Sequence, residues 1–298
     1  MNSETNYYIT PNELLQALKN FYFWGILIIA FTLLISLAYS LSLSDKYTSS
    51  AILQITDDKS QDSNSSVFSG LAGLGLSGNT SNAALAINTL KSRELLSRII
   101  KKNDILPQIF APKSFNPVDK TLIFYEDIYN SDTKEWVRKN HSPLRTVTPS
   151  LLEGYEEFKN ALRVNIVESN IIEISYTHIS PVFAAEILEL VITEANSILR
   201  SREIERSQNS ISYLNSILAD TNSIEVRNSI SKLIDSHLRK LTLANIDKDY
   251  ALSILDKPFI PEEKSEPFRK VILLIGLLLG LILYFFGALI SARLSIKS

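Results

Sequence analysis

Two long stretches of this chain carry no charged residue: Asn20 to Ser44 and Val271 to Ala292. At 1.5 Å per residue, about 20 helical residues cross a hydrocarbon layer of about 30 Å. The first stretch has Tyr22 and Trp24 at one end and Tyr39 near the other, where the two membrane interfaces would lie. A cleaved secretory signal is the competing assignment, with Ala38-Tyr39-Ser40 as a weak small-x-small site. The apolar run is too long for a signal core, and the residues before it carry a single basic side chain, Lys19. A retained membrane helix over residues 21–43 is predicted. The second stretch, residues 271–292, lies between Arg269-Lys270 and Arg293 and has no polar face to turn to water, so a core helix accounts for it poorly. It contains Gly276 and Gly280 at GxxxG spacing, with Gly287 one heptad further on. Small residues so spaced let two helix backbones approach closely in lipid, which makes these three glycines candidates for helix association. Chance is the alternative, because glycine is frequent in membrane helices.

The polar chain between them alternates in type. Thr10-Pro11-Asn12-Glu13 is a helix start, followed by a Leu14, Leu15, Leu18 stripe. Tyr47 to Thr56 has the β-branched and aromatic content of a strand. Residues 58–82 form a Gly-, Ser- and Asn-rich loop whose interspersed leucines make it either a docking loop or a plain linker. Ala83 to Lys102 has helical spacing through Ile87, Leu90, Leu95, Ile99 and Ile100. A stretch punctuated by Pro107, Pro112, Pro117 and Pro143 follows, and Thr148-Pro149 opens another helix to Leu162. Residues 163–167 and 171–177 form a hairpin. Ser180-Pro181 starts the longest helix, to Ala219, with a stripe of Ala184, Ile187, Leu188, Val191, Ala195 and Ile198. Its middle is strongly polar, and Arg200, Arg202 and Arg206 are candidate surface-contact residues there, with an ordinary solvated face as the alternative. After a break with an Asn222/Glu225 capping-box pattern, a second helix runs to about Asp249 with Ile230, Leu233, Ile234, Leu238 and Leu241 expected inward. A last strand, Tyr250 to Asp256, precedes Pro258, Pro261 and Pro267, which favour an extended approach to the second membrane stretch.

The fold class expected is α+β. Residues 44–270 form one domain, a small mixed sheet backed by helices with a long protruding helical hairpin, between two transmembrane helices at 21–43 and 271–292. Residues 1–20 and 293–298 are tails on one common side. The net charge of −2 and the 45% apolar, 21% charged composition resemble an ordinary globular protein. That average conceals the membrane stretches, since all 62 charged residues fall on the other 251 positions. A nearly neutral domain has no footprint for nucleic acid and none for bulk capture of a polyanion.

Chemistry is sparse. No cysteine is present, which removes a disulfide framework, a thiolate site and a cysteine nucleophile. His141, His178 and His237 share no ligand spacing, and no glycine precedes a lysine as a phosphate-binding loop requires. Neighbouring carboxylates such as Glu156-Glu157 and Glu262-Glu263 point apart. No catalytic residue, metal site or cofactor is expected, and the protein is read as a non-enzyme.

Several segments, in order, resemble one family. They are Asn12-Glu13-Leu14-Leu15 before the first span, YTSSAILQI from Tyr47, the Gly-Leu-rich loop, and LKSRELLSRIIKKNDILP from Leu90 to Pro107. ISPVFAAEILELVITEAN from Ile179 to Asn196, ISYLN from Ile211 to Asn215, and DYALSILDKPFIPEEKSEPFRK before the second span complete the set. The chain resembles the Wzz-type chain-length determinants, class 1 polysaccharide co-polymerases. The resemblance implies a two-span protein of the bacterial inner membrane with both termini cytoplasmic and residues 44–270 periplasmic. It implies a homo-oligomeric ring that regulates the length of O-antigen or a related surface glycan without catalysis. Partners would be further copies of itself, a polysaccharide polymerase, the lipid bilayer and glycan. An adaptor for polysaccharide export, or for a separate tyrosine kinase, is the alternative.

Overall fold

The computed structural model describes residues 16, 18, 19, 21–56, 82–139, 145–168 and 170–297. Of the helix expected from Thr10, only Gln16, Leu18 and Lys19 are among these residues, and they are helical; the loop at 58–82 lies outside them, apart from Asn82, where a helix begins.

Helix α1 (Tyr22–Ser42) is followed by strand β1 (Tyr47–Ile55). Helices α2 (Asn82–Leu90) and α3 (Arg93–Asn103) replace the single helix expected there. The break is chemical: Ser92 is extended, and its hydroxyl accepts from Leu95 N–H as the N-cap of α3. Short helix α4 (Leu106–Phe110) leads into two small hairpins, β2 (Pro112–Asn116) with β3 (Thr121–Phe124) and β4 (Tyr129–Asn130) with β5 (Glu135–Trp136). Helix α5 (Leu151–Ala161) starts later than Thr148-Pro149 suggested, because Ser150 and Glu153 form the reciprocal capping box. Strands β6 (Leu162–Glu168) and β7 (Ile171–His178) follow, then α6 (Pro181–Asp220), capped by Ser180. Helix α7 (Ile224–Ile246) has Ser223 at its N-cap without a side-chain cap bond, so the Asn222/Glu225 box does not form. Strand β8 (Leu252–Asp256) and helix α8 (Arg269–Lys297) complete the order.

The chain divides into two compact units, Met1–Asp45 with Lys264–Ser298, and Lys46–Glu263. In the first unit, α1 and α8 lie side by side. Most of their apolar side chains are exposed, Phe23 at 65% and Phe286 at 58%. That is incompatible with the core helices of a water-soluble globule and fits two helices solvated by lipid.

In the second unit the α+β class stands, but the sheet is antiparallel throughout rather than mixed. Its order is β6-β7-β1-β8. Hairpin formation puts β6 beside β7, and β1 takes the inner place between β7 and β8 by pairing Tyr47 with His178 and Leu53 with Ile254. Successive strand residues face opposite sides. Ser49, Ala51, Leu53 and Ile55 of β1, with Ile172, Ile174, Tyr176 and His178 of β7, therefore share the buried face. On it pack α5 and the first half of α6, and α3 packs against both of these helices, in one core with Leu95, Ile99, Phe158, Ala184, Ile187, Leu188 and Val191. The expected α6 stripe is buried as far as Ile198.

Forty residues make α6 about 60 Å long. No residue of α6 beyond Ser207 is fully buried. There it pairs with α7, which turns Ile230 and Ala244 inward. Leu233 and Leu238, expected to face inward, are 41% and 44% exposed. An apolar residue marks an inward face only where a second layer exists to cover it, and among the described residues these two positions of the two-helix hairpin are left uncovered.

Candidate functional site

The glycines, prolines and arginines singled out in the sequence have definite places. In the membrane pair, a Cβ built on Gly276 would lie 2.6 Å from Ser36 Cβ, and one on Gly280 would lie 2.5 Å from Thr32 Oγ1 and 3.1 Å from Ile29 Cα. The two glycines create the space in which α1 and α8 of one chain meet, and Gly287 faces Phe21 in the same seam. Close approach lets Ser36 Oγ donate to the Ile272 carbonyl at 2.8 Å and Tyr284 OH donate to the Leu18 carbonyl at 2.8 Å. In hydrocarbon such polar groups have no water to fall back on. One flank of the seam is an open groove of about 470 Å³ lined by Thr32, Ser36, Tyr39, Ile275 and Leu279 among others.

At the end of this unit, Asp45 accepts from Arg269 Nη2 at 2.9 Å and from Lys264 Nζ at 3.3 Å. The pairing ties the exit of α1 to the start of α8. Pro267 lies just ahead of α8 and follows a cis peptide bond from Glu266. Pro258 and Pro261 belong to the other unit, where Ser49 of β1, itself buried, donates to the Phe259 carbonyl at 2.7 Å. Pro261 is buried while Phe259 and Ile260 are half exposed.

The three arginines of α6 differ from one another. Arg202 is held by α2 and α3, donating to Glu94 Oε2 at 2.5 Å and Thr89 Oγ1 at 3.3 Å. Arg200 is half-buried and Arg206 exposed. Across the hairpin, burial first and Lys240 second hold the pKa of His237 below its usual range, with Arg206 adding to the effect and Glu203 opposing it.

Buried polar groups lie where α6 meets the sheet. Asn196 Oδ1 accepts from Leu252 N–H at 2.8 Å and Ala251 N–H at 3.2 Å, and its Nδ2 donates to the Leu252 carbonyl at 2.9 Å. His178 Nδ1 accepts from Ser180 N–H at 3.0 Å, so Nε2 carries the proton and donates to the Gln108 carbonyl at 2.8 Å. Burial pushes the His178 pKa down to about 4. Glu194 pairs with Lys102 of α3. Among the described residues no group of three or more His, Asp or Glu could hold a metal ion.

The Pro-punctuated stretch contains a feature the pattern of prolines did not reveal. Phe124, Tyr129, Trp136 and Phe110 form a continuous row, with ring centroids 5.6, 5.0 and 6.3 Å apart. Arg138 closes it, its guanidinium 5.8 Å from the Phe110 ring centre. Arg138 also donates to Glu153 at 2.8 and 3.3 Å and to the carbonyls of Val147 and Thr146. This contact, above all, holds the Glu153 carboxyl below the usual carboxylate range. The legible signal was composition: six aromatic residues in the 27 positions from Phe110 to Trp136.

Residues 10–103 match the family model described as Wzz, chain length determinant protein. The resemblance to the chain-length determinants thus holds over a segment running from ahead of α1 to the last residue of α3. No curated protein matches the chain. Two solved structures resemble it weakly. A full-length bacterial polysaccharide co-polymerase is 13% identical, with 95% of this chain and 97% of that one covered and a TM-score of 0.36. A fragment of WzzB, a polysaccharide co-polymerase from Salmonella Typhimurium, is 12% identical, with 75% and 100% covered and a TM-score of 0.30.

Proposed function

We propose, on the premise of the chain-length determinant match over residues 10–103, that this protein is a non-enzymatic regulator of surface-polysaccharide chain length. The observation that carries the proposal is that the match ends with α3, so that it contains α1, the inner strand β1 and the two helices that follow as whole elements. O-antigen or a related glycan is the polymer, and a separate membrane polymerase makes it. The protein sits in the bacterial inner membrane with both termini cytoplasmic and the β1–β8 domain periplasmic. It works as a homo-oligomer, in which repetition turns weak contacts into avidity. The outer side of α7, with Leu238, Leu243 and Ile246 exposed, supports an assembled state, because a neighbouring copy would cover it. Gly276, Gly280 and Gly287 serve the α1–α8 pairing, Pro258, Pro261 and Pro267 set the approach to α8, and Arg200 and Arg206 offer the surface contacts.

The test is deletion of the gene with gel separation of the surface polysaccharide. Polymer still made, but without a preferred length, and restored by the plasmid-borne gene, is the expected outcome. An unaltered ladder would overturn the proposal.

A further inference from the structure

Residues 110–137 stand apart from the rest of their unit. Their aromatic content of six in 27 compares with 9% for the whole chain, and none of those six rings belongs to the core cluster. The segment is two successive two-stranded hairpins, a motif that is marginal in water by itself. It is held by the ring contacts, by the Tyr125 N–H bond to the Ala111 carbonyl, and by Arg138. Apart from Ala111, no residue of the segment is buried, so it adds little to the core.

We propose that the row Phe124, Tyr129, Trp136 and Phe110 is a sugar-binding platform, which deepens the chain-length reading and rests on it. All four rings are partly exposed, and they meet tilted or edge-on, at 74°, 60° and 85°, so each offers its own face to a sugar rather than one shared plane. A pyranose presents a face of C–H bonds polarised slightly positive, and the face of an aromatic ring is negative, so the two stack. Hydroxyl groups at the sugar's edge need hydrogen-bond partners. Glu126 and Asp127, both exposed, lie in the short turn between Phe124 and Tyr129 and are the carboxylates available to such hydroxyls. The cross-strand pairing of Tyr129 with Trp136 puts these two rings together on one side of the hairpin, with Asn130 and Glu135 turned to the other side.

Charge selects the ligand class. Residues 112–139 hold five basic side chains (Lys113, Lys120, Lys134, Arg138, Lys139) and five acidic ones (Asp119, Glu126, Asp127, Asp132, Glu135). A balanced surface has no bulk attraction for nucleic acid or an anionic lipid face. The centre of a protein interface is depleted in charge, whereas here ten charged residues are interspersed with the rings. A largely uncharged, hydroxyl-rich chain with apolar ring faces fits both properties.

The test uses the full-length protein in mild detergent. The chain has two tryptophans, so Trp24→Phe leaves Trp136 as the sole tryptophan reporter. The probe is surface polysaccharide released from the host without its lipid, with dextran of equal mean size as comparison. A saturable change in Trp136 emission is expected. In the otherwise unaltered protein, Trp136→Leu should weaken retention on immobilised polysaccharide by about tenfold, and Trp136→Phe by less than about threefold, at equal unfolding midpoints. If Trp136→Leu exposes the hairpins to protease, Phe124→Leu takes its place, since that ring ends the row and touches only Tyr129 within it. Wild-type protein that binds no polysaccharide, or leucine variants that bind as wild type, would overturn the platform. Trp136-dependent capture of the polymerase without polysaccharide binding would also overturn it, in favour of a protein contact. Loss of length control on gene deletion, together with no polysaccharide binding, would sink the platform and leave the chain-length reading standing.

Discussion

Asn196, buried in the middle of α6, is bonded to both the N–H and the carbonyl of Leu252, as a neighbouring strand residue would be. A helix side chain thus satisfies the backbone at the start of β8. It does so where two main-chain groups would otherwise be buried without partners. The same amide accepts from Ala251 N–H, and the Ala251 carbonyl in turn accepts from Thr56 N–H.

Replacing Asn196 with Leu keeps the volume and removes all three bonds. A buried donor or acceptor left unmade costs about 1–3 kcal/mol, so the variant should lose roughly 2–4 kcal/mol. Denaturant unfolding followed by circular dichroism measures it, and a midpoint equal to wild type would show that β8 does not depend on this residue.

Gly280→Ile should separate α1 from α8, because Ile29 Cα and Thr32 Oγ1 occupy the space a side chain would need. Overpacking of this kind costs about 1–3 kcal/mol. The thermal midpoint in mild detergent should fall for Gly280→Ile and stay put for Leu278→Ile, whose side chain is half exposed to lipid. Equal midpoints for the two variants would refute the seam.

Stability should decline in two steps as pH falls. The His178 pKa is about 4 when folded against 6.5 when free, so between these values the unfolded chain binds a proton that the folded chain does not. Stability contributed by neutral His178 is therefore complete above pH 6.5 and is lost progressively down to about pH 4. The loss is up to about 1.4 kcal/mol per pH unit. Glu153 is depressed below 4.5, so its contribution is lost only below that value, as pH passes through its folded pKa. His178→Asn should flatten the first step and leave the second. Denaturant midpoints from pH 7.5 to 3.5 read both, and an unchanged first step in His178→Asn would exclude His178 as its source.

Leu243→Glu should leave the fold intact and lower the assembly mass. Leu243 is 54% exposed in the single chain, so folding does not bury it, whereas a covering neighbour would have to desolvate the new carboxylate. Light scattering of the detergent-solubilised protein should show a smaller species at an unchanged unfolding midpoint. An unaltered mass would remove the outer side of α7 from the interface.

Much of the site was legible residue by residue. Ser180-Pro181 encodes its helix start locally, and the burial of Ala184 through Ile198 follows from 3.6-residue spacing. The alternation in β1 and β7 likewise announces a one-sided sheet. The aromatic row was not read from the sequence, although its composition was visible. Prolines explain where a chain bends and say nothing about which rings meet across a hairpin. Arg202 was classed with Arg200 and Arg206 by sequence proximity, yet its guanidinium belongs to Glu94, 108 residues away.

The sequence by itself determined the two membrane-length helices, the helical and strand segments and the absence of thiol chemistry, because each is a matter of local composition and period. Only the tertiary structure decided that β1 is an inner strand between β7 and β8, that Gly276 and Gly280 meet the first helix of the same chain, and that Leu233 and Leu238 stay exposed. Those outcomes depend on which surfaces meet. A residue's own neighbours along the chain fix its backbone preference, but burial is conferred by partners distant in sequence, and a period of apolar residues cannot say whether such a partner exists.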